Sequence, residues 1–305
     1  MDIYLPIAGV AINVFALLGI GATIGFLAGV FGIGGGFLMI PLLIFVGVPV
    51  PIAVASHADQ VLGTSLSGLL GHWRRGNVDF TMGGIMLPGG LAGSAFGVWL
   101  FTLLQQFGQI NLAVSLLFVL LLSGVGALMA IESIRTLLLQ RRPAGVRHKL
   151  HQHTWLHGLP LKMRFRRSKL YISALLPLGL GALIGMVSGI LGIGSGFLLV
   201  PAMIYVLGMP TRLVPGTSLL QIIFVTASVT FLQAYTNHTV DIVLVIMLLL
   251  GSVLGAQIGA RFGARLRGAQ LRFLLALLLL AVAAKLLFDL TVLPEQLFSV
   301  IEVSG

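Results

Sequence analysis

The chain contains no cysteine in its 305 residues. That excludes disulfides, thiolate metal sites and cysteine nucleophiles. Charge is scarce as well: 9% of residues are Asp, Glu, Lys or Arg, and 58% are hydrophobic. A soluble domain carries roughly 25% charged residues. Several apolar stretches exceed the ~20 residues that a helix needs to cross a bilayer. They are continuous rather than alternating, so they read as helices and not as an outer-membrane barrel. No Lys or Arg lies between Met1 and Gly9. The basic start of a cleavable signal is therefore missing, and the first apolar segment reads as a retained span. No Lys-Ser/Thr follows a glycine run, which excludes a phosphate-binding loop.

The net charge of +10 raises nucleic acid as a partner, but its placement argues against one. Ten of the 18 Lys/Arg lie between Arg135 and Lys169, and nearly all the others sit in three short loops. Such clustering is a topology signal.

Glycine, by contrast, is abundant and placed twice over. Segment 25–41, GFLAGVFGIGGGFLMIP, returns as segment 185–201, GMVSGILGIGSGFLLVP, an offset of 160 residues. Leu62-Gly63-Thr64-Ser65-Leu66 echoes in Pro215-Gly216-Thr217-Ser218-Leu219. Val78-Asp79 echoes in Val240-Asp241, and Gly93/Gly97 in Gly255/Gly259. Paired glycine- and proline-interrupted segments in two halves of a membrane protein point to a transport site between the halves.

The pattern predicts an all-α, polytopic membrane fold of two repeats with five hydrophobic elements each. The elements are roughly 7–31, 36–48, 52–71, 80–104 and 111–134, then 171–191, 196–208, 213–235, 241–260 and 271–290. With the N-terminus outside, every loop holding Lys or Arg falls on the inside, and the outside loops hold none. An odd number per repeat inverts the second half relative to the first. This places both termini outside the cell membrane and the central basic loop in the cytoplasm. The predicted domains are repeat 1 over 1–139, a basic linker over 140–170, repeat 2 over 171–292 and a tail over 293–305. The second and seventh elements span only about 16–18 Å at ~1.5 Å per residue. They read as half-helices or re-entrant segments fed by the glycine runs at 32–36 and 192–196.

Those runs offer unpaired backbone N–H groups at a positive helix end, a setting that suits an oxyanion. Gly34, Gly35 and Gly36, with Gly194, Ser195 and Gly196, are therefore candidate substrate contacts. Tight packing is the competing reading, and it is the preferred one for Gly25, Gly29, Gly93, Gly97, Gly185 and Gly189. The third element is unusually polar for a span. His57, Gln60 and Thr64 share one helical face, and Asp59 lies beside it. Intramembrane ionisable groups are functional candidates by default; His57 and Asp59 are the candidates for proton coupling, unless the segment is interfacial. Thr64-Ser65 and Thr217-Ser218 read as hydroxyl pairs at matching depth that donate either to substrate or to their own helix carbonyls. Gln221 and Arg212 complete the candidate set in the second half. Asp79 and Asp241 read as helix caps, and Lys285 and Asp289 as a pair. His148, His151, His153 and His157 sit in the basic linker and read as solvated rather than zinc-binding. No metal site and no cofactor is expected.

The paired Gly-x-Gly-[Gly/Ser]-Gly-Phe runs ending in Pro41 and Pro201, each followed by a Gly-Thr-Ser-Leu helix, resemble the TauE/SafE sulfite exporter family of membrane transporters. The resemblance covers about residues 15–290. Its motif residues fall on Gly32, Gly34, Gly35, Gly36, Pro41, Gly63, Thr64 and Ser65, and on Gly192, Gly194, Ser195, Gly196, Pro201, Gly216, Thr217 and Ser218. The chain departs from the pattern at Ser195 and in its long linker. The resemblance implies an inner-membrane secondary transporter of a small anion, sulfite or an organosulfonate such as sulfoacetate, with export favoured. Import, or another small anion or carboxylate, is the alternative. A channel and an intramembrane enzyme are remote ones. The expected partners are the small anionic substrate and the lipid bilayer. The small-residue faces serve internal packing or a homodimer equally well.

Overall fold

The computed structural model describes residues 2–31, 36–74, 76–139, 160–194, 196–210, 212–237, 241–263 and 268–291. Ten helices are formed among them. In the first half these are α1 Val14–Phe31, α2 Gly36–Phe45, α3 Val50–Arg74, α4 Phe80–Gln106 and α5 Ile110–Leu139. In the second half they are α6 Leu175–Leu191, α7 Gly196–Tyr205, α8 Val214–Leu232, α9 Ile242–Gly263 and α10 Gly268–Thr291. A short π-helical turn, Gln233–Asn237, extends α8. Five helical stretches are long and apolar enough to cross a membrane, in α4, α5, α8, α9 and α10. Large apolar side chains such as Trp99, Leu120, Phe231 and Phe288 point outward. The fold is that of an all-α polytopic membrane protein.

Each half opens with something the apolar pattern does not announce. Strands β1 Asp2–Leu5 and β2 Val10–Asn13 form an antiparallel hairpin before α1. Strands β3 Lys162–Phe165 and β4 Leu170–Ser173 form its counterpart before α6, at the same offset of 160 residues. The predicted first span therefore begins late. Residues 7–13 belong to the hairpin, and Asn13 Oδ1 accepts the Phe15 N–H (3.0 Å) as the helix starts. Ser173 Oγ accepts the Leu175 N–H (3.3 Å) at the matching place. Likewise, residues 162–170 at the end of the expected linker fold as part of the β3–β4 hairpin. The linker histidines lie outside the described residues.

The capping role read for the two aspartates is present. Asp79 Oδ1 accepts the N–H groups of Thr81 and Met82, both at 3.1 Å. Asp241 Oδ1 accepts those of Val243 (3.1 Å) and Leu244 (3.2 Å). Their second oxygens reach across the molecule. Asp241 Oδ2 accepts Ile7 N–H (3.1 Å) and Ala8 N–H (3.4 Å) from the turn of β1–β2. Asp79 Oδ2 accepts Ser168 N–H (3.0 Å) and the Ser168 hydroxyl from the turn of β3–β4. Each cap thus holds the hairpin of the other half.

Helix packing follows the same exchange. α1 runs along α9 and α6 runs along α4, while α3 packs on α8 and α5 on α10. The first two contacts are backbone to backbone. A Cβ added to Gly25, Gly255 or Gly259 would lie 2.1, 2.0 or 2.0 Å from the carbonyl oxygens of Ser252, Ala22 and Phe26. Added to Gly93, Gly97 or Gly185, it would lie 2.0, 2.3 or 2.3 Å from those of Ala182, Met186 and Gly90. These glycines are packing residues, as expected where helices associate without a hydrophobic drive between them. The halves interlock, so neither can move as a body without carrying a helix of the other.

Candidate functional site

Helices α2 and α7 are ten residues each. At ~1.5 Å per residue they span about 15 Å, half of a ~30 Å hydrocarbon core. Gly36 and Gly196 are their first residues. In the second half the approach to α7 is described as far as Gly194. Gly192 ends α6 at φ +63° and donates its N–H to Ser188 O at 2.8 Å. Only glycine fits here, because a Cβ would also lie 2.2 Å from the Val54 carbonyl oxygen. A Cβ on Gly194 would lie 2.1 Å from Val61 Cγ1. The glycine turn therefore lies directly on α3. Val54 and Val61 are seven residues apart, two helical turns, and His57-Ala58 lies between them on the same stripe.

That part of α3 is polar and buried. Ser56, His57, Gln60 and Ser65 are each less than 5% exposed. His57 Nδ1 lies 3.3 Å from Gln60 Oε1. An amide oxygen only accepts, so Nδ1 carries the proton and Nε2 presents a lone pair. His57 Nε2 is buried with no hydrogen-bond partner among the described residues. The glycine turn before α7 thus meets α3 through Gly192 on Val54 and Gly194 on Val61, one turn to either side of His57-Ala58. Gly34, Gly35 and Ser195, and the side chains of Asp59 and Thr64, lie outside the described residues.

α8 supplies a second buried polar segment. Thr217 donates its hydroxyl to Leu213 O (2.8 Å) and accepts the Asp79 N–H (2.9 Å). Ser218 donates to Pro215 O (2.9 Å). Both hydroxyl protons are committed to backbone, so these side chains shape the helix rather than offering a donor. Ser56 accepts the Asp241 N–H (3.2 Å), as Thr217 does that of Asp79. Ser56-His57 thus occupies the place of Thr217-Ser218, and Gln60 that of Gln221. The echo of Gly63-Thr64-Ser65 in Gly216-Thr217-Ser218 is a likeness of letters and not of position. The matching depth read from it does not hold.

Gln221 is fully buried, and neither its amide nitrogen nor its oxygen has a partner among the described residues. Its amide lies in a slot made by two glycines. A Cβ on Gly90 of α4 would lie 2.8 Å from Gln221 Nε2, and one on Gly181 of α6 would lie 3.2 Å away. An unpaired buried polar group costs about 1–3 kcal/mol. Arg212 stands apart from this cluster: it is exposed, and its Nε donates to Asn77 Oδ1 (3.0 Å) in the α3–α4 loop. Lys285 and Asp289 pair at 3.1 Å on the surface of α10, and Lys285 also lies over the Phe45 ring. Among the described residues no group of three or more His, Asp or Glu is placed to hold a metal.

Apolar helices with outward-facing side chains, half-helices and a buried polar seam define a multi-pass membrane protein. The family model described as Sulfite exporter TauE/SafE matches residues 17–286. The chain therefore belongs to the TauE/SafE family of membrane transporters. It is 34% identical over 218 residues to a probable membrane transporter protein of Xylella fastidiosa (strain Temecula1), covering 69% of this chain and 70% of that one. It is 29% identical over 199 residues to the probable membrane transporter protein YjnA of Bacillus subtilis (strain 168), covering 65% and 70%. These names indicate a transporter rather than an enzyme. No solved structure matches the chain.

Proposed function

We propose that the protein is a secondary transporter of a small anion, sulfite or an organosulfonate, working in export across the inner membrane. The observation that carries this reading is Gln221. A fully buried amide with no partner among the described residues, held in a slot between Gly90 and Gly181, is a donor waiting for an oxyanion. The first N–H groups of α7, at the positive end of its dipole, are a second feature that suits an oxyanion. The family description names a sulfite exporter, which supports a sulfur oxyanion as substrate. His57, with its free Nε2 lone pair, is the proposed proton-coupling group, with Asp59 beside it in sequence. Substituting His57→Gln is expected to flatten the pH dependence of transport; an unchanged profile would remove His57 from that role.

Inverted repeats with the N-terminus outside fit the hairpins. β3–β4 and its turn carry five Lys/Arg over 162–173, while 2–13 carries none. The moving bodies follow the exchanged packing rather than the sequence halves: α1 with α9 and β1–β2, against α4 with α6 and β3–β4. Alternating access then opens and closes the α3–α8 seam between them.

Gln221→Leu tests the site. The variant removes two unsatisfied buried atoms, so the unliganded protein should be as stable as wild type or more so. Sulfite or sulfoacetate should raise the unfolding temperature of the wild type by linkage. Affinity should be about tenfold to a hundredfold weaker in the variant, the worth of a hydrogen bond to a charged group. Equal stabilisation of both proteins would move the anion elsewhere.

A further inference from the structure

The two hairpins have the same backbone and different chemistry. At the positions of Tyr4, Pro6 and Gly9 in β1–β2, the second hairpin carries Arg164, Arg166 and Lys169. These three cations line a cavity of about 630 Å³ together with Phe165, Leu170 and Tyr171, and no carboxylate lines it. Phe165 is fully buried and anchors the hairpin. Arg167 ties it to the α3–α4 loop through Val78 O (2.9 Å), and Asp79 holds its turn. Asp79 is committed to those donors and to its helix cap. It is not among the residues that line the cavity. The three cations are thus presented on a fixed frame.

Lys169 adds a backbone observation. It adopts φ +52°, the left-handed region, where the first hairpin has Gly9 at φ +65°. A residue with a Cβ is strained there and glycine is not. Strain at a residue that a glycine would relieve points to a use for its side chain. The apolar neighbours suggest which. Tyr171, paired across the strands with Arg164, is 61% exposed, and Leu161 and Met163 are exposed as well. A free anion needs no apolar surroundings. A phospholipid needs cations for its phosphate and apolar surface for its chains.

We propose that the cavity of β3–β4 is a head-group site for an anionic phospholipid, with the phosphate among Arg164, Arg166 and Lys169 and the acyl chains along Tyr171 and Leu170. The test uses the full-length protein in phosphatidylcholine nanodiscs containing trace phosphatidylglycerol, measuring enrichment of the anionic lipid on the protein. Wild type is expected to enrich phosphatidylglycerol. Removing each cation, as R164Q, R166Q or K169G, should lower that enrichment about fivefold, and removing all three on the order of a hundredfold. Lys169→Gly decides the matter should the triple variant fail to fold, because glycine already serves this position in β1–β2. Enrichment unchanged in Lys169→Gly, or equal for both lipids in wild type, would overturn the site. Displacement of the lipid by inorganic phosphate, with equal phosphate binding in lipid-free detergent, would also overturn it and assign a free-anion site instead.

Discussion

Replacing Gly93 with leucine is expected to abolish folded protein, and alanine at the same place to cost about 1–3 kcal/mol or more. The Cβ of either residue would start 2.0 Å from the Ala182 carbonyl oxygen and 2.7 Å from its carbon. Non-bonded atoms settle near roughly 3.5–4 Å, and the obstacle is backbone that no rotamer can clear. Separating α4 from α6 is the one remedy, and it breaks the packing at Gly89, Gly97, Gly181, Gly185 and Gly189 together. Helices in a bilayer are held by close packing rather than by hydrophobic drive, so little compensates. Gly255→Ala in the α1–α9 contact should behave alike, since its Cβ would lie 2.0 Å from Ala22 O. Gly84→Ala is the control: nothing lies within 4 Å of its Cβ, and alanine should be neutral or stabilise by up to about 1 kcal/mol. Unfolding midpoints and gel filtration in detergent would read all four variants. A folded Gly93→Leu protein with a wild-type midpoint would contradict the packing described.

Removing the Asp79 carboxylate is expected to cost about 2–5 kcal/mol, the sum of a lost helix cap and a buried N–H left without an acceptor. Asp79→Ala strips Thr81, Met82 and Ser168 of their shared partner. Asp79→Asn should keep the cap and still lose the hairpin, because an amide NH₂ replaces the oxygen that Ser168 donates to. Hydrogen exchange over 162–173 separates the two effects. Asn should speed exchange in the hairpin and spare the start of α4, whereas Ala should expose both. Unchanged exchange over 162–173 in either variant would show that the Asp79–Ser168 contact does not hold the hairpin.

The hydrophobic elements were legible because apolar runs and glycine breaks act locally. Nine of the ten lie within about five residues of their expected places, while the first begins at Val14 because residues 7–13 belong to the hairpin, and the half-helix lengths follow from Gly36/Phe45 and Gly196/Tyr205. The hairpins were not legible, since four-residue strands beside apolar runs leave no periodicity to detect. The exchange of α1 and α6 between halves is equally hidden. Gly93 and Gly185 announce tight packing but do not name the partner. Among site residues, polarity within a span marked His57 and Gln60 as candidates, and the packed structure shows them buried rather than interfacial. The register of Ser56 with Thr217 was not, because the repeated Gly-Thr-Ser letters pointed elsewhere. It emerges only from the cross-bonds to Asp79 and Asp241. Gln221 was a candidate by its letter alone; its missing partners and its glycine slot needed the packed structure.

The decisive measurement is counterflow of radiolabelled sulfite and sulfoacetate into liposomes holding the purified protein, for wild type and Gln221→Leu. A transporter with its site at Gln221 predicts saturable counterflow of at least one anion that falls about tenfold or more in the variant. Equal counterflow in both proteins would contradict the site, and absence of counterflow for both anions with folded wild type would contradict the substrate class.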